Sequence, residues 1–390
     1  MKKRLLLFCF SLLLVFVASI GLDRVTGLFV GPQEQGLVFP RNVTRHFQTP
    51  EFAFTTTTNS LGFRDREFSE EKTARTRIVA LGDSFTYGWG VEAEQSWPRM
   101  LEQRLRSSGL DVEVLNLGQP GASPRTYAEI AEKGIPQLHP DIVIVGVLQG
   151  DDLAQMDLQP ISVVIQSREA PNALSRHDRL HRIVGRLYPN FLRIIDDRAA
   201  SSAAALTDEW KRQAQLFRTV LTDDEKARLD QLDERIKNAF VSGELNPSLI
   251  YLSIHDTDYF LQTMDLRTAK TKRQISQMSE QLLRIKASAD RINAKLIVVS
   301  VPYGIYVSRA SYDSRQRIGF AVGPEMLTTN SEDDAIRNAS QLAGADFYEF
   351  TSQFRQASVQ QQFFYELDGH FNRAGHTFFA DALAPLIKTH

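Results

Sequence analysis

Seven consecutive apolar residues, Ile142-Val143-Ile144-Val145-Gly146-Val147-Leu148, follow Pro140 and stop at Gln149-Gly150-Asp151-Asp152. A run this short, rich in β-branched residues and without an alternating polar face, reads as a strand buried on both sides. Such strands belong to parallel sheets covered by helices. Similar runs recur at Ile78–Leu81, Val112–Asn116 and Leu296–Val301, with a weaker one over 345–350. Helical stripes separate them: Trp97, Met100, Leu101 and Leu105 after the first run, and Phe378, Phe379, Leu383 and Leu386 in a last helix over about 372–387. Strand and helix alternate, so the expected fold is α/β, a three-layer α/β/α sandwich around a central parallel sheet.

The first run leads into Gly82-Asp83-Ser84-Phe85-Thr86-Tyr87-Gly88-Trp89-Gly90. Gly82 ends the strand where the backbone turns sharply, so Ser84 falls at the C-terminal edge of the sheet, where ligands of open α/β folds bind. There it is either a nucleophile or the N-cap of the next helix. Near the other end stand Glu366-Leu367-Asp368-Gly369-His370-Phe371-Asn372. A serine hydroxyl becomes a nucleophile when an imidazole takes its proton, and the imidazole needs an acceptor on its other nitrogen. Ser84, His370 and Asp368 supply those three types, with Glu366 as a second choice of acid. The nucleophile elbow of α/β-hydrolases is disfavoured, because its second glycine is missing after Ser84.

These residues resemble the SGNH (GDSL) hydrolase family, exported bacterial type, in four blocks that keep the family order. Gly82-Asp83-Ser84-Phe85 is similar to the first, Asn116-Leu117-Gly118-Gln119-Pro120-Gly121 to the second, Gly150-Asp151-Asp152 to the third, and Asp368-Gly369-His370 with Asn372 and Gly375 to the last. The resemblance implies a flavodoxin-like sheet and a serine esterase with catalytic residues Ser84, His370 and Asp368. It also implies an oxyanion hole built by the N–H groups of Ser84 and Gly121 and by the residue at position 151. It covers 77–152 and 256–390, and the turn Asn59–Asp65 is similar to the lead-in of exported members. Two departures stand out. The family's Asp-x-x-His is here Asp368-x-His370, and the third block has Asp151 where the family has an asparagine. An ionised aspartate repels an oxyanion instead of donating to it. The expectations are therefore a weakened but working oxyanion hole, a protonated Asp151, or the Gln149 amide acting in its place.

Residues 153–255 are far longer than an α/β connection needs, so a mainly helical insertion is expected, rising over the active edge as a cap. The domain reading is thus 1–21 a signal peptide or membrane anchor, 22–75 an extended lead-in, and 76–390 the SGNH domain interrupted by that insertion. Lys2, Lys3 and Arg4 precede an apolar run over Leu5–Ile20. Its length fits either a cleaved signal or a retained anchor, and the basic flank puts everything after it across the membrane, in the periplasm or outside the cell. The single cysteine, Cys9, lies inside that run, so the exported part has no disulfide framework and no zinc–thiolate site.

A net charge of −2 over 390 residues gives no reason to expect a nucleic-acid partner. His177 and His181 have helix-face spacing but no third ligand nearby in sequence, and they read as a solvated helix. His255-Asp256-Thr257-Asp258 reads as a turn, and Gly88-Trp89-Gly90 lacks the third glycine of a dinucleotide loop. No metal or organic cofactor is expected for serine ester chemistry. The expected substrates are acyl esters, O-acetyl groups on envelope or extracellular glycans among them. The alternatives are a polysaccharide O-acyltransferase using the same three residues, and a non-catalytic glycan-binding or scaffolding relative.

Overall fold

The computed structural model describes residues 2–29, 34–69, 71–157, 176–200, 202 and 204–387. Helix α1 (Lys2–Phe29) is followed by an antiparallel hairpin, β1 (Thr44–Gln48) and β2 (Ala53–Thr57). The α/β core then begins: β3 (Thr76–Gly82), α2 (Ser84–Tyr87), α3 (Trp97–Ser107), β4 (Val112–Asn116), α4 (Pro124–Leu138), β5 (Ile142–Leu148) and α5 (Asp151–Ala154). Among the described residues, six helices follow in the long connection: α6 (Arg176–Leu187), α7 (Pro189–Ala200), α8 (Ala205–Val220), α9 (Asp223–Gln231), α10 (Glu234–Ser242) and α11 (Pro247–His255). The chain closes with α12 (Ala269–Asp290), β6 (Lys295–Val301), α13 (Arg309–Ile318), α14 (Ser331–Leu342), β7 (Asp346–Tyr348), α15 (Thr351–Ser358) and α16 (Arg373–Ile387).

Five strands form one parallel sheet in the order β4-β3-β5-β6-β7, which is 2-1-3-4-5 when the sheet strands are counted along the chain. This is the flavodoxin-like order, and its crevice opens between β3 and β5, whose outgoing connections run to opposite sides, to β4 and to β6. All seven residues of β5 are buried, as its uniform apolar run requires. Successive side chains of β3 alternate between two cores. Ile78 and Ala80 pack with Trp97, Leu101, Leu105, Phe379 and Leu383 from α3 and α16, whereas Val79 and Leu81 face Tyr127, Ile130, Met278 and Leu282 from α4 and α12. The three layers follow from that alternation.

The helices over 176–255 do not build a separate core. Ala214, Phe217, Phe240, Ile250 and Tyr251 join the cluster that covers the Ile78 face of the sheet. Within this part α9 opens on a reciprocal cap: the Thr222 hydroxyl accepts from the Glu225 N–H and the Glu225 carboxylate accepts from the Thr222 N–H. Part of the expected insertion, 158–175, lies outside the described residues.

The lead-in is more ordered than its sequence suggested. Its Thr-rich run is β2, and Arg64 in the turn after it is buried, donating to the carbonyls of Thr55, Tyr87, Gly88 and Val91. One guanidinium thus fastens the hairpin to the loop that follows α2. Asp65 accepts from the Asn116 N–H at 2.9 Å, tying the same turn to the end of β4. At the N-terminus, α1 continues eight residues past position 21, to Phe29, and it is long and apolar enough to cross a membrane.

Candidate active site

Ser84 is the first residue of α2, directly beyond β3. Its role as a helix cap is taken by Asp83, whose Oδ1 accepts from the Phe85 N–H at 2.9 Å. Gly82 has a φ of 157°, and a Cβ there would stand 2.1 Å from Thr86 Oγ1, so the turn tolerates no side chain. The serine hydroxyl instead meets His370: Oγ lies 2.7 Å from Nε2. On the other side of the ring, Nδ1 lies 2.5 Å from Asp368 Oδ1, which also accepts the His370 backbone N–H at 3.2 Å. Ser84 and the distant Asp368–His370 pair therefore form one hydrogen-bonded chain.

A single intervening residue suffices for the Asp-x-His spacing because Gly369 takes a left-handed φ of 87°. The turn folds the carboxylate back onto the imidazole two residues later, and a Cβ at 369 would stand 2.4 Å from Arg315 Nη2. Arg315 is buried and donates to the Leu367 carbonyl at 2.6 Å. From the β1–β2 turn, Glu51 accepts the N–H groups of Leu367 at 2.9 Å and Asp368 at 2.7 Å. Glu51 and Arg315 thus hold both faces of the loop. The sequence reading named neither, since nothing local links position 51 to position 368. Glu366, the second choice of acid, points elsewhere: it pairs with Arg317 at 3.1 Å and Arg235 at 3.7 Å.

Burial pushes the Asp368 carboxyl up, but the neighbouring His370 charge and hydrogen bond outweigh it and hold it below the usual range. Burial pulls His370 down, and Asp368 more than compensates, so the imidazole ends above its ordinary value. That is the pattern of a base stabilised in its protonated form.

Gly121, at the end of β4, lines the same cavity as Ser84, Asp151 and His370. The N–H groups of Ser84 and Gly121 have no hydrogen-bond acceptor among the described residues. For Ser84 this follows from its place at a helix start, where the first N–H groups have no partner within the helix.

Asp151 is held by the Tyr259 hydroxyl, which donates to Oδ1 at 2.7 Å, and by the Gln155 amide, which donates to Oδ2 at 2.5 Å. Burial raises its pKa, partly offset by those two donors. Asp83 and Asp152 are raised as well, by burial first and then by repulsion from neighbouring aspartates, Asp151 among them. The Gln149 amide is not available as a substitute donor. It donates to Asp333 and Thr351, both at 2.7 Å, and its oxygen accepts from the Tyr303 N–H.

The cavity holds about 660 Å³. Trp89, from the loop after α2, and Trp210, on α8, line it with their ring centroids 6.5 Å apart. Trp89 also packs on Phe47, Phe52 and Phe54, so it serves the core and the site together. His376 is buried with its pKa lowered to about 3, chiefly by burial, and its Nδ1 accepts from the Trp97 N–H, so it fixes α16 on α3. The side chains of His177 and His181 lie outside the described residues. Among the described residues no group of three or more histidine, cysteine, aspartate or glutamate side chains is arranged to hold a metal ion.

Residues 80–239 match the sequence model of the GDSL-like lipase/acylhydrolase family. Over this stretch, which is less than half of the chain, the sequence is similar to the SGNH/GDSL family. The matched stretch contains the Ser84, Gly121 and Asp151 blocks and runs on into the helical connection. It stops short of Asp368 and His370, which rest on geometry alone. An arylesterase of Vibrio mimicus is 30% identical over 80 residues, which is 20% of this chain and 40% of that protein. Solved structures overlay loosely. The TesA structure has a TM-score of 0.38 at 11% identity, covering 80% of this chain and 99% of that one. A lipase/acylhydrolase from Enterococcus faecalis has a TM-score of 0.38 at 12% identity, covering 80% and 96%. The fold is read from the strand order of the chain itself.

Proposed function

We propose that this protein is a serine esterase that hydrolyses acyl esters. The observation that carries the reading is the Asp368–His370–Ser84 hydrogen-bonded chain lining an open cavity. Ser84 Oγ attacks the ester carbonyl while its proton passes to His370 Nε2, and the imidazolium is stabilised by Asp368. The carbonyl oxygen takes up the negative charge facing the N–H groups of Ser84 and Gly121. Collapse breaks the bond to the alcohol, which leaves with the proton from His370. Water then attacks the acyl-serine with His370 again as base, releasing the acid.

The substrate class proposed is O-acyl groups, acetyl included, on envelope or extracellular glycans. Trp89 and Trp210 support it, because paired aromatic faces suit the apolar faces of sugar rings. The arylesterase match supports ester chemistry in general. The protein is proposed to work on the far side of the membrane, held by α1 as a retained anchor, with 153–255 as a cap over the SGNH domain. Hydrolysis of p-nitrophenyl acetate tests the chemistry: the parent turns over, and Ser84→Ala and His370→Ala both fall to background. A Ser84→Ala protein that still turns over would remove the proposal.

A second reading, a non-catalytic relative, is favoured by one observation: a carboxylate at position 151 beside the would-be oxyanion. Turnover that depends on Ser84 excludes it.

A further inference from the structure

Helices α6 and α7 form a hairpin whose apolar residues are exposed. In α6, Leu180, Ile183, Val184 and Leu187 recur at one-face spacing, and Leu180 and Ile183 are 60% and 56% exposed. In α7, Phe191 and Ile195, four apart, are 55% and 47% exposed. Around these residues the sequence is basic, with six arginines against three aspartates between positions 176 and 200. Strong amphipathicity with cationic flanks is the pattern of a helix lying in a membrane interface.

The hairpin is joined to α1 along one stripe. Ser19, Asp23 and Gly27 are spaced four apart and face α7. Ser19 Oγ lies 2.7 Å from Tyr188 Oη, and Asp23 Oδ1 accepts the Phe191 N–H at 2.8 Å. Asn190 Nδ2 donates to the Asp23 carbonyl and to its Oδ2, and a Cβ at Gly27 would stand 2.6 Å from that same Asn190 amide. Asp23, whose side chain is 1% exposed, is therefore the N-terminal cap of α7 supplied from another helix. These contacts begin at the end of the apolar run Leu5–Ile20, where a spanning helix leaves the hydrocarbon.

We propose that α6 and α7 are a foot seated in the headgroup layer of the bilayer that α1 enters, with Leu180, Ile183, Phe191 and Ile195 turned into the lipid and the arginines meeting anionic headgroups. The proposal rests on the reading of α1 as a retained membrane helix. It also gives that retention a structural reason, since cleavage near Ser19 would break the Ser19–Tyr188 contact and leave Asp23, the cap on α7, on the short remainder of α1. The foot is followed in the chain by α8, whose Trp210 lines the cavity.

The test uses the full chain carrying Ser84→Ala and Cys9→Ser, reconstituted in nanodiscs of phosphatidylcholine with phosphatidylglycerol. Single cysteines replace Val15, Ile183, Phe191 or Leu283 and carry a nitroxide. Leu283, 46% exposed on α12, is the control for an apolar side chain in water. Expected is an oxygen-to-nickel-chelate collision ratio at Ile183 and Phe191 higher than at Leu283 by about tenfold, falling when Arg182→Glu and Arg186→Glu are added. Lipid contact at Val15 with water contact at Ile183 and Phe191 overturns the foot alone. Water contact at Val15 overturns the anchor and the foot together. Dipolar broadening between labels at Ile183 shows a second copy on this face and also overturns it. Because the protein carries Ser84→Ala, none of these results depends on ester hydrolysis.

Discussion

Asp151 is the residue where the chemistry is least conventional. Its carboxylate is fastened by Tyr259 and Gln155 and lines the same cavity as Ser84 and Gly121. Burial favours the neutral form, and a neutral carboxyl can donate where an ionised one cannot. An asparagine donates at every pH, and a lost oxyanion donor typically costs about a hundred- to a thousandfold in rate. Asp151→Asn is therefore expected to raise kcat for an acetyl ester at pH 8 by about ten- to a hundredfold. A slower variant would show that the carboxyl group itself serves the reaction. His370 sets a second expectation. Since Asp368 holds its pKa above 6.5, the free-base form appears only at higher pH, and kcat/KM should rise along an acid limb whose midpoint lies above 6.5. A midpoint below 6.5 contradicts the pairing with Asp368.

Among the elements, the β1–β2 hairpin contributes most to the site from farthest away. Its turn supplies Glu51, and losing that acceptor leaves two buried N–H groups unpaired beside Asp368, at about 1–3 kcal/mol each. Glu51→Ala should lower kcat about tenfold through a misplaced Asp368 and shift the acid limb downward, while Glu51→Gln restores part of both. A loss of kcat without a change in the pH profile would mark Glu51 as merely structural. The strands of the main sheet were legible because runs such as Ile142–Leu148 and Ile78–Leu81 are buried on both faces and so carry no polar interruption. Ser84, Asp368 and His370 were legible because the chemistry demands their types near element ends. The hairpin was not, because its Thr-rich strand is half exposed and its partner, Thr44–Gln48, has no apolar alternation. Glu51, Arg64 and Arg315 were hidden for another reason. Each acts on backbone groups distant in sequence, and a backbone carbonyl or N–H leaves no trace in residue identity.

On the scale of the whole molecule, burial of acids shapes the pH dependence of stability. Asp65 and Glu332 are fully buried with pKa values raised to about 7, against ordinary values of 3.8 and 4.5. A raised acid binds its proton more tightly in the folded state. Its contribution is therefore present below the unfolded value and is lost as pH climbs toward about 7. His370, a base with a raised pKa, likewise stabilises below 6.5 and loses that contribution as pH rises through its folded value. His376, lowered to about 3, acts oppositely, but only as pH falls from 6.5 toward 3. Between pH 6.5 and 8 all the terms run one way, so the melting temperature should fall across that interval, and Glu332→Gln should flatten the fall. A melting temperature that rises from pH 6.5 to 8 would contradict the burial of these acids.

The proposed function turns on one claim, that Ser84 is the nucleophile. Fluorophosphonate labelling of the full chain tests that directly. The parent should be labelled on Ser84, with labelling abolished by Ser84→Ala and strongly slowed by His370→Ala. An unlabelled parent, or a Ser84→Ala protein labelled like the parent, would contradict the account.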